Sequence, residues 1–163
     1  MKGLKLYALL AAVCAPVAVL DGMYFAGSMR YAGMIEFCLL FVAIGVTFFE
    51  WGQAVTIAMF CGFLLDTMSE YPYHMALFTA YAMAGKWVSK FFYSNKSPLH
   101  VAAQLMLFAL FTAGMFVAQC YPFRFGAPAL EPVATVVALN CALVLPALVF
   151  APGGGKKFKV YKL

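Results

Sequence analysis

The chain has 163 residues, 66% of them apolar and only 10% charged, and a formal net charge of +5. A soluble domain carries about 25% charged residues, which argues against folding in water, and the length leaves room for a single domain. The basic residues flank apolar runs, so the charge reports membrane orientation rather than nucleic-acid binding.

A membrane-spanning helix needs about 20 mostly apolar residues, with about 17–25 usual. Six segments are predicted on that basis: 4–20, 31–49, 51–66, 74–93, 99–119 and 130–150, followed by a basic tail over 151–163. The fold class expected is therefore all-α, a polytopic transmembrane helical bundle of about six spans. In the first segment, Lys2 and Lys5 precede an apolar run, as in a secretory signal peptide. No small-x-small cleavage site precedes soluble sequence, and Val13 before Cys14 fits a lipoprotein site poorly, so a retained helix is expected. Asp21-Gly22 and Gly27-Ser28 are turn residues that separate the first two segments. Glu50-Trp51-Gly52 makes a tight polar bend with an interfacial tryptophan before the short third segment. Pro72 separates the third from the fourth. Ser94-Asn95-Lys96-Ser97-Pro98 is a polar turn with proline near the start of the fifth. Pro122, Pro128 and Pro132 fill the last connection.

With a cytoplasmic N-terminus, nine basic residues fall inside (Lys2, Lys5, Lys86, Lys90, Lys96, Lys156, Lys157, Lys159, Lys162) and two outside, Arg30 and Arg124. That asymmetry obeys the positive-inside rule and places both termini in the cytoplasm. Lys86 and Lys90, at the inner end of the fourth segment, are expected to snorkel. The tail is expected to lie against anionic lipid.

Catalytic, metal and cofactor chemistry finds little support. The five cysteines sit singly in apolar runs, with no C-x-x-C and no histidine within four positions of one, and read as small buried hydrophobes. There is no G-x-S-x-G, no phosphate loop and no H-E-x-x-H. Small residues four apart let helices approach closely in lipid. Such stripes are Ala54, Ala58 and Gly62; Ala76, Ala80 and Ala84; and Ala134, Ala138 and Ala142, each marking a face expected to meet another helix. Asp66 extends the first stripe by four residues, which puts a carboxylate on a packed face near the outer end of its helix. It reads either as a functional intramembrane acid or as an interfacial group bonding the turn. The segment from Asp66 to His74, with Ser69 and Pro72, is the most polar on the outer side. It lacks a defined ligand geometry or a paired nucleophile, so His74 is expected to bond locally at a helix start. Glu36, Gln104 and Asn140 are the remaining intramembrane polar candidates, for interhelical hydrogen bonds or for a polar substrate path.

The stretch Gly62-Phe63-Leu64-Leu65-Asp66-Thr67-Met68-Ser69, followed by Pro72 and Ala76 and by Gly85 further on, resembles the signature of the MreD family of rod shape-determining membrane proteins. There a G-x-L-x-D-x-x-S segment closes one helix and a short turn leads into an alanine-rich one. The specific likeness covers 62–85, and the chain departs from the pattern at Glu70 and His74, where glycines are common. The resemblance implies a fold like the membrane substrate-binding subunits of vitamin transporters and a non-enzymatic role in lateral wall elongation without cofactors. It also implies an MreC-like bitopic partner and, through it, the actin-like MreB filament and the wall synthesis enzymes at the bacterial cytoplasmic membrane. The competing expectation is a small transporter or its substrate-binding subunit, with a polar cavity near Glu36, Asp66 and Asn140. An intramembrane enzyme would need paired catalytic groups at one depth, which the sequence does not offer.

Overall fold

The computed structural model describes residues 8–9, 12–21, 35–68, 72–91, 98–120 and 130–150, and every regular element among them is helical. They form a bundle of α1 (Ala12–Asp21), α2 (Phe37–Phe48), α3 (Trp51–Met68), α4 (His74–Phe91), α5 (Pro98–Cys120) and α6 (Leu130–Val149). Three helical stretches are long and apolar enough to cross a membrane: Trp51–Met68, Pro98–Ala118 and Pro132–Val149. The α1 and α2 segments are apolar but shorter. The expected all-α bundle is the fold observed.

The α3–α4 pair is the most extensive in the bundle, and α2 packs against α3, α4 and α6 while α5 joins α4 to α6. The reason α3 and α4 come so close is Gly62. A Cβ there would stand 2.3 Å from the Met75 Cα and 2.6 Å from its nitrogen, so only glycine lets the two backbones touch. Ala54 and Ala58 continue that close-approach face, and all three are buried. Gly85 plays a lesser version of the part in α4, with Val46 of α2 at 2.8 Å from where its Cβ would be.

The other two alanine stripes point the other way, which corrects the expectation drawn from their spacing. Ala76 and Ala80 are exposed and Ala84 is half-buried; Ala134, Ala138 and Ala142 are all exposed. The inward face of α4 is His74, Phe78, Tyr81, Ala82 and Gly85. That of α6 is Val136, Asn140, Val144 and Leu148. Positions two apart on a helix differ by about 200° around its axis, so a stripe offset by two from the buried row lies on the opposite face.

Boundaries shift where polar groups intervene. The sequence predicts a second segment from 31; residues 31–34 lie outside the described residues, and Ile35 and Glu36 precede the first helical turn. The third helix runs two residues past 66. Ser69, Arg30, Arg124 and the tail 151–163 also lie outside the described residues. Both tryptophans, Trp51 and Trp87, are exposed at one end of the α3–α4 pair. The opposite end, where α3 passes into α4, carries the polar cluster described next.

Candidate functional site

An α-helix leaves its first backbone N–H groups without intrahelical partners. In an apolar bundle each such group costs free energy unless something accepts from it. The polar residues of this chain answer that need across helices. Asp66, near the end of α3, accepts from the His74 amide at 2.8 Å through Oδ1 and from the Met75 amide at 3.0 Å through Oδ2. The His74 ring lies against the same carboxylate, its Nδ1 at 2.9 Å from Oδ1. One side chain thus caps the first turn of α4 and pins its first residue. Gly62, one turn earlier on the same face of α3, supplies the closeness that puts the carboxylate within reach. The His74 ring stacks on Tyr73 at a centroid separation of 4.2 Å and meets Phe78 edge-on.

The start of α2 repeats the device with different residues. Asp21, the last residue of α1, accepts from the Phe37 amide at 3.2 Å and from the Cys38 amide at 3.0 Å. Asn140, in the middle of α6 and 0% exposed, accepts from the Glu36 amide at 3.0 Å through Oδ1. Its Nδ2 donates to the Val136 carbonyl at 2.9 Å. Glu36 itself is 3% exposed. The far end of α2 is held by α4, where the Lys86 ammonium donates to the Phe49 carbonyl. That corrects the expectation of a snorkelling Lys86: the charge turns inward onto the carbonyl that ends α2. Lys90 is exposed.

Gln104 of α5 completes the set. It is 2% exposed, and its Nε2 donates to the Gly85 carbonyl at 2.7 Å and to Ser89 Oγ at 2.8 Å. Its Oε1 is buried with no hydrogen-bond partner among the described residues. Cys14, Cys38 and Cys61, from three helices, are all fully buried in the one hydrophobic core. They are free thiols packed as core side chains. Among the described residues no group of three His, Cys, Asp or Glu side chains is placed to hold a metal ion.

The structure therefore brings Asp66, Pro72 and His74 together at one turn, and Glu36 and Asn140 together at another. Gln104 stands apart, nearer the tryptophan end. Two participants were not singled out as sites from the sequence. Asp21 reads locally as a turn residue, although an acid closing an apolar run shortly before another run is the pattern it shares with Asp66. Lys86 carries no comparable local signal, because its acceptor is 37 residues away. Compared with protein-family models, curated proteins and solved structures, the chain matches none of them.

Proposed function

We propose that this chain is a non-enzymatic membrane adaptor of the bacterial cell-shape machinery, an MreD-like protein. In this reading it spans the cytoplasmic membrane six times with both termini in the cytoplasm. It seats an MreC-like single-span partner and, through it, the MreB filament and the wall synthesis enzymes. The observation that carries the reading is the Gly62–Asp66–His74 hairpin. The residues that resemble the family signature are the ones that set the α3–α4 approach and cap α4. Among the described residues, three helices are long and apolar enough to cross a membrane. Among the described residues, Asp21, Gln104 and Asn140 bond backbone groups or neighbouring side chains of the fold, as suits a scaffold that presents surfaces.

A transporter subunit is the second reading, favoured by the buried polar group of Asp21, Glu36 and Asn140 around the start of α2. Two measurements on one preparation separate the readings. The chain is isolated from native membranes in mild detergent, co-purifying proteins are identified, and the preparation is screened for bound small molecules. The adaptor reading expects a single-span protein with an external domain, together with wall synthesis enzymes. Recovery of ATPase subunits with a stoichiometric small molecule, and no single-span protein, would overturn it.

A further inference from the structure

We propose that this chain thins the bilayer on one side: the lipid against α3 has an apolar layer of about 22 Å, that against α5 one of about 31 Å, and the step lies at the tryptophan end. The inference rests on the bundle lying in a membrane and is independent of the adaptor reading. It follows from how three helices are levelled against one another. At one end of the α3–α4 pair, Asp66 accepts from the amides of His74 and Met75. At the other, Lys86 donates to the Phe49 carbonyl, two residues before α3 begins at Trp51. Gln104 levels α5 against α4 by bonding Gly85 and Ser89, on either side of Trp87. Further along, Phe108 and Phe111 of α5 meet the Tyr81 ring. Gln104 therefore stands at the height of Trp87 and, through Lys86, of Trp51.

Two polar levels bound the outward side of α3. One holds Glu50, Trp51 and Trp87, all exposed. Exposed tryptophans belong at the headgroups, and a carboxylate in hydrocarbon is costly. The other level holds Asp66 and the exposed Thr67. Only Met59, Phe60 and Phe63 face outward as large apolar groups between them. The rise from Trp51 to Asp66 is about 22 Å, against the roughly 30 Å of a hydrocarbon core. On α5 the apolar stretch Pro98–Ala118 has 21 residues, about 31 Å. The part of it from Pro98 to Ala103 overhangs the tryptophan level by about 9 Å, with Leu99 exposed on it. That overhang equals the excess of α5 over α3, so the two sides agree at the Asp66 end and differ at the other. α4 runs one turn past Trp87, but its exposed residues there are Lys90, which can reach the headgroups, and Phe91, whose ring packs on Trp87. Lipid that meets a short apolar face thins to match it, at a modest cost per ångström.

The test uses the purified full-length chain in phosphatidylcholine vesicles with a hydrocarbon core of about 30 Å. The chain has two tryptophans, so Trp87→Phe leaves Trp51 alone. A second variant, Trp51→Phe with Trp87→Phe and Leu99→Trp, moves the single indole to the start of α5. Quenching by lipids brominated at graded depths along the acyl chain locates each indole. Expected is the same depth for both, at the headgroup boundary, although the two positions stand about 8 Å apart along the bundle. In vesicles with a core of about 22 Å, the indole at position 99 should pass into water, losing its quenching and shifting its emission to the red, while Trp51 keeps its depth. Depths that differ by about 8 Å in the thicker vesicles mean a flat bilayer and overturn the proposal. A Trp51 that no brominated lipid quenches is covered by a second copy of the chain, and overturns it as well.

Discussion

Replacing Gly62 by alanine adds one methyl group at the tightest point of the bundle. The new Cβ would lie 2.3 Å from the Met75 Cα, 2.6 Å from its nitrogen and 2.9 Å from the His74 carbonyl carbon, where ordinary contact begins at 3.4 Å. All three neighbours are backbone, so no side chain can swing aside. The start of α4 must retreat by more than 1 Å, the difference between 3.4 and 2.3 Å. Overpacking of that kind costs about 1–3 kcal/mol. The retreat also stretches the Asp66 cap, whose bonds to His74 and Met75 begin at 2.8 and 3.0 Å and would pass the range of a hydrogen bond. Each bond to a charged group that is given up adds about 1.5–3 kcal/mol. Loss of one bond therefore takes the total above about 2.5 kcal/mol.

Gly114→Ala is the matched control. It makes the same chemical change in α5, where an added Cβ meets nothing within 4 Å. Alanine in a helix interior gains about 0.5–1 kcal/mol over glycine, so this variant should match or exceed the parent. Thermal unfolding of the purified chain in mild detergent, followed by helical circular dichroism, reads both. At about 2–4 °C per kcal/mol for a chain of this size, Gly62→Ala should melt at least about 5 °C below Gly114→Ala. Equal melting temperatures would refute the close α3–α4 approach and the cap geometry built on it.

Asp66→Ala and Asp21→Ala should each destabilise by about 1–3 kcal/mol for every amide left without an acceptor, and the asparagine variants should recover part of the loss because an amide oxygen still accepts. If alanine and asparagine melted alike at both positions, capping would not be what these residues do. Gln104→Leu should stay within about 1 kcal/mol of the parent, because it removes a buried Oε1 that has no partner along with the donor; a loss above about 3 kcal/mol would mean that the amide bridges more than Gly85 and Ser89. Lys157→Cys should resist a membrane-impermeant thiol reagent added to intact cells and react after permeabilisation. Labelling from outside would overturn the proposed orientation.

The apolar runs were legible because a helix that satisfies its own backbone is the only open-chain structure lipid allows, and a run of that length shows in the sequence. Which face of each helix turns inward was legible only in part. Ala54-x3-Ala58-x3-Gly62 and Ala134-x3-Ala138-x3-Ala142 look alike as strings. What separates them is the competing row on the same helix. On α6 the branched Val136 and Val144 and the amide of Asn140 fill the space toward α2, and the alanines are left outside. On α3 the glycine is indispensable, because its neighbour is the backbone of α4. The Asp66 cap shows in the sequence because its acceptor and donors lie within 9 residues. The Asp21 and Lys86 contacts span 16 and 37 residues, and no local pattern encodes them.

The same reasoning explains why α2 is shorter than its apolar run. Twelve residues at about 1.5 Å each make about 18 Å, well short of the roughly 30 Å of a hydrocarbon core. Asn140, which meets its start, stands nine residues before the end of α6, about 14 Å along that helix. The first turn of α2 therefore lies deep along the bundle, where an unpaired amide has no water to turn to. Hydropathy alone would extend the helix outward from there. The acceptors decide otherwise: Asp21 and Asn140 take the amides of Glu36, Phe37 and Cys38, and Lys86 takes the carbonyl of Phe49 at the other end. A helix ended on both sides by side chains from three other helices cannot shift along its axis without breaking contacts to all of them.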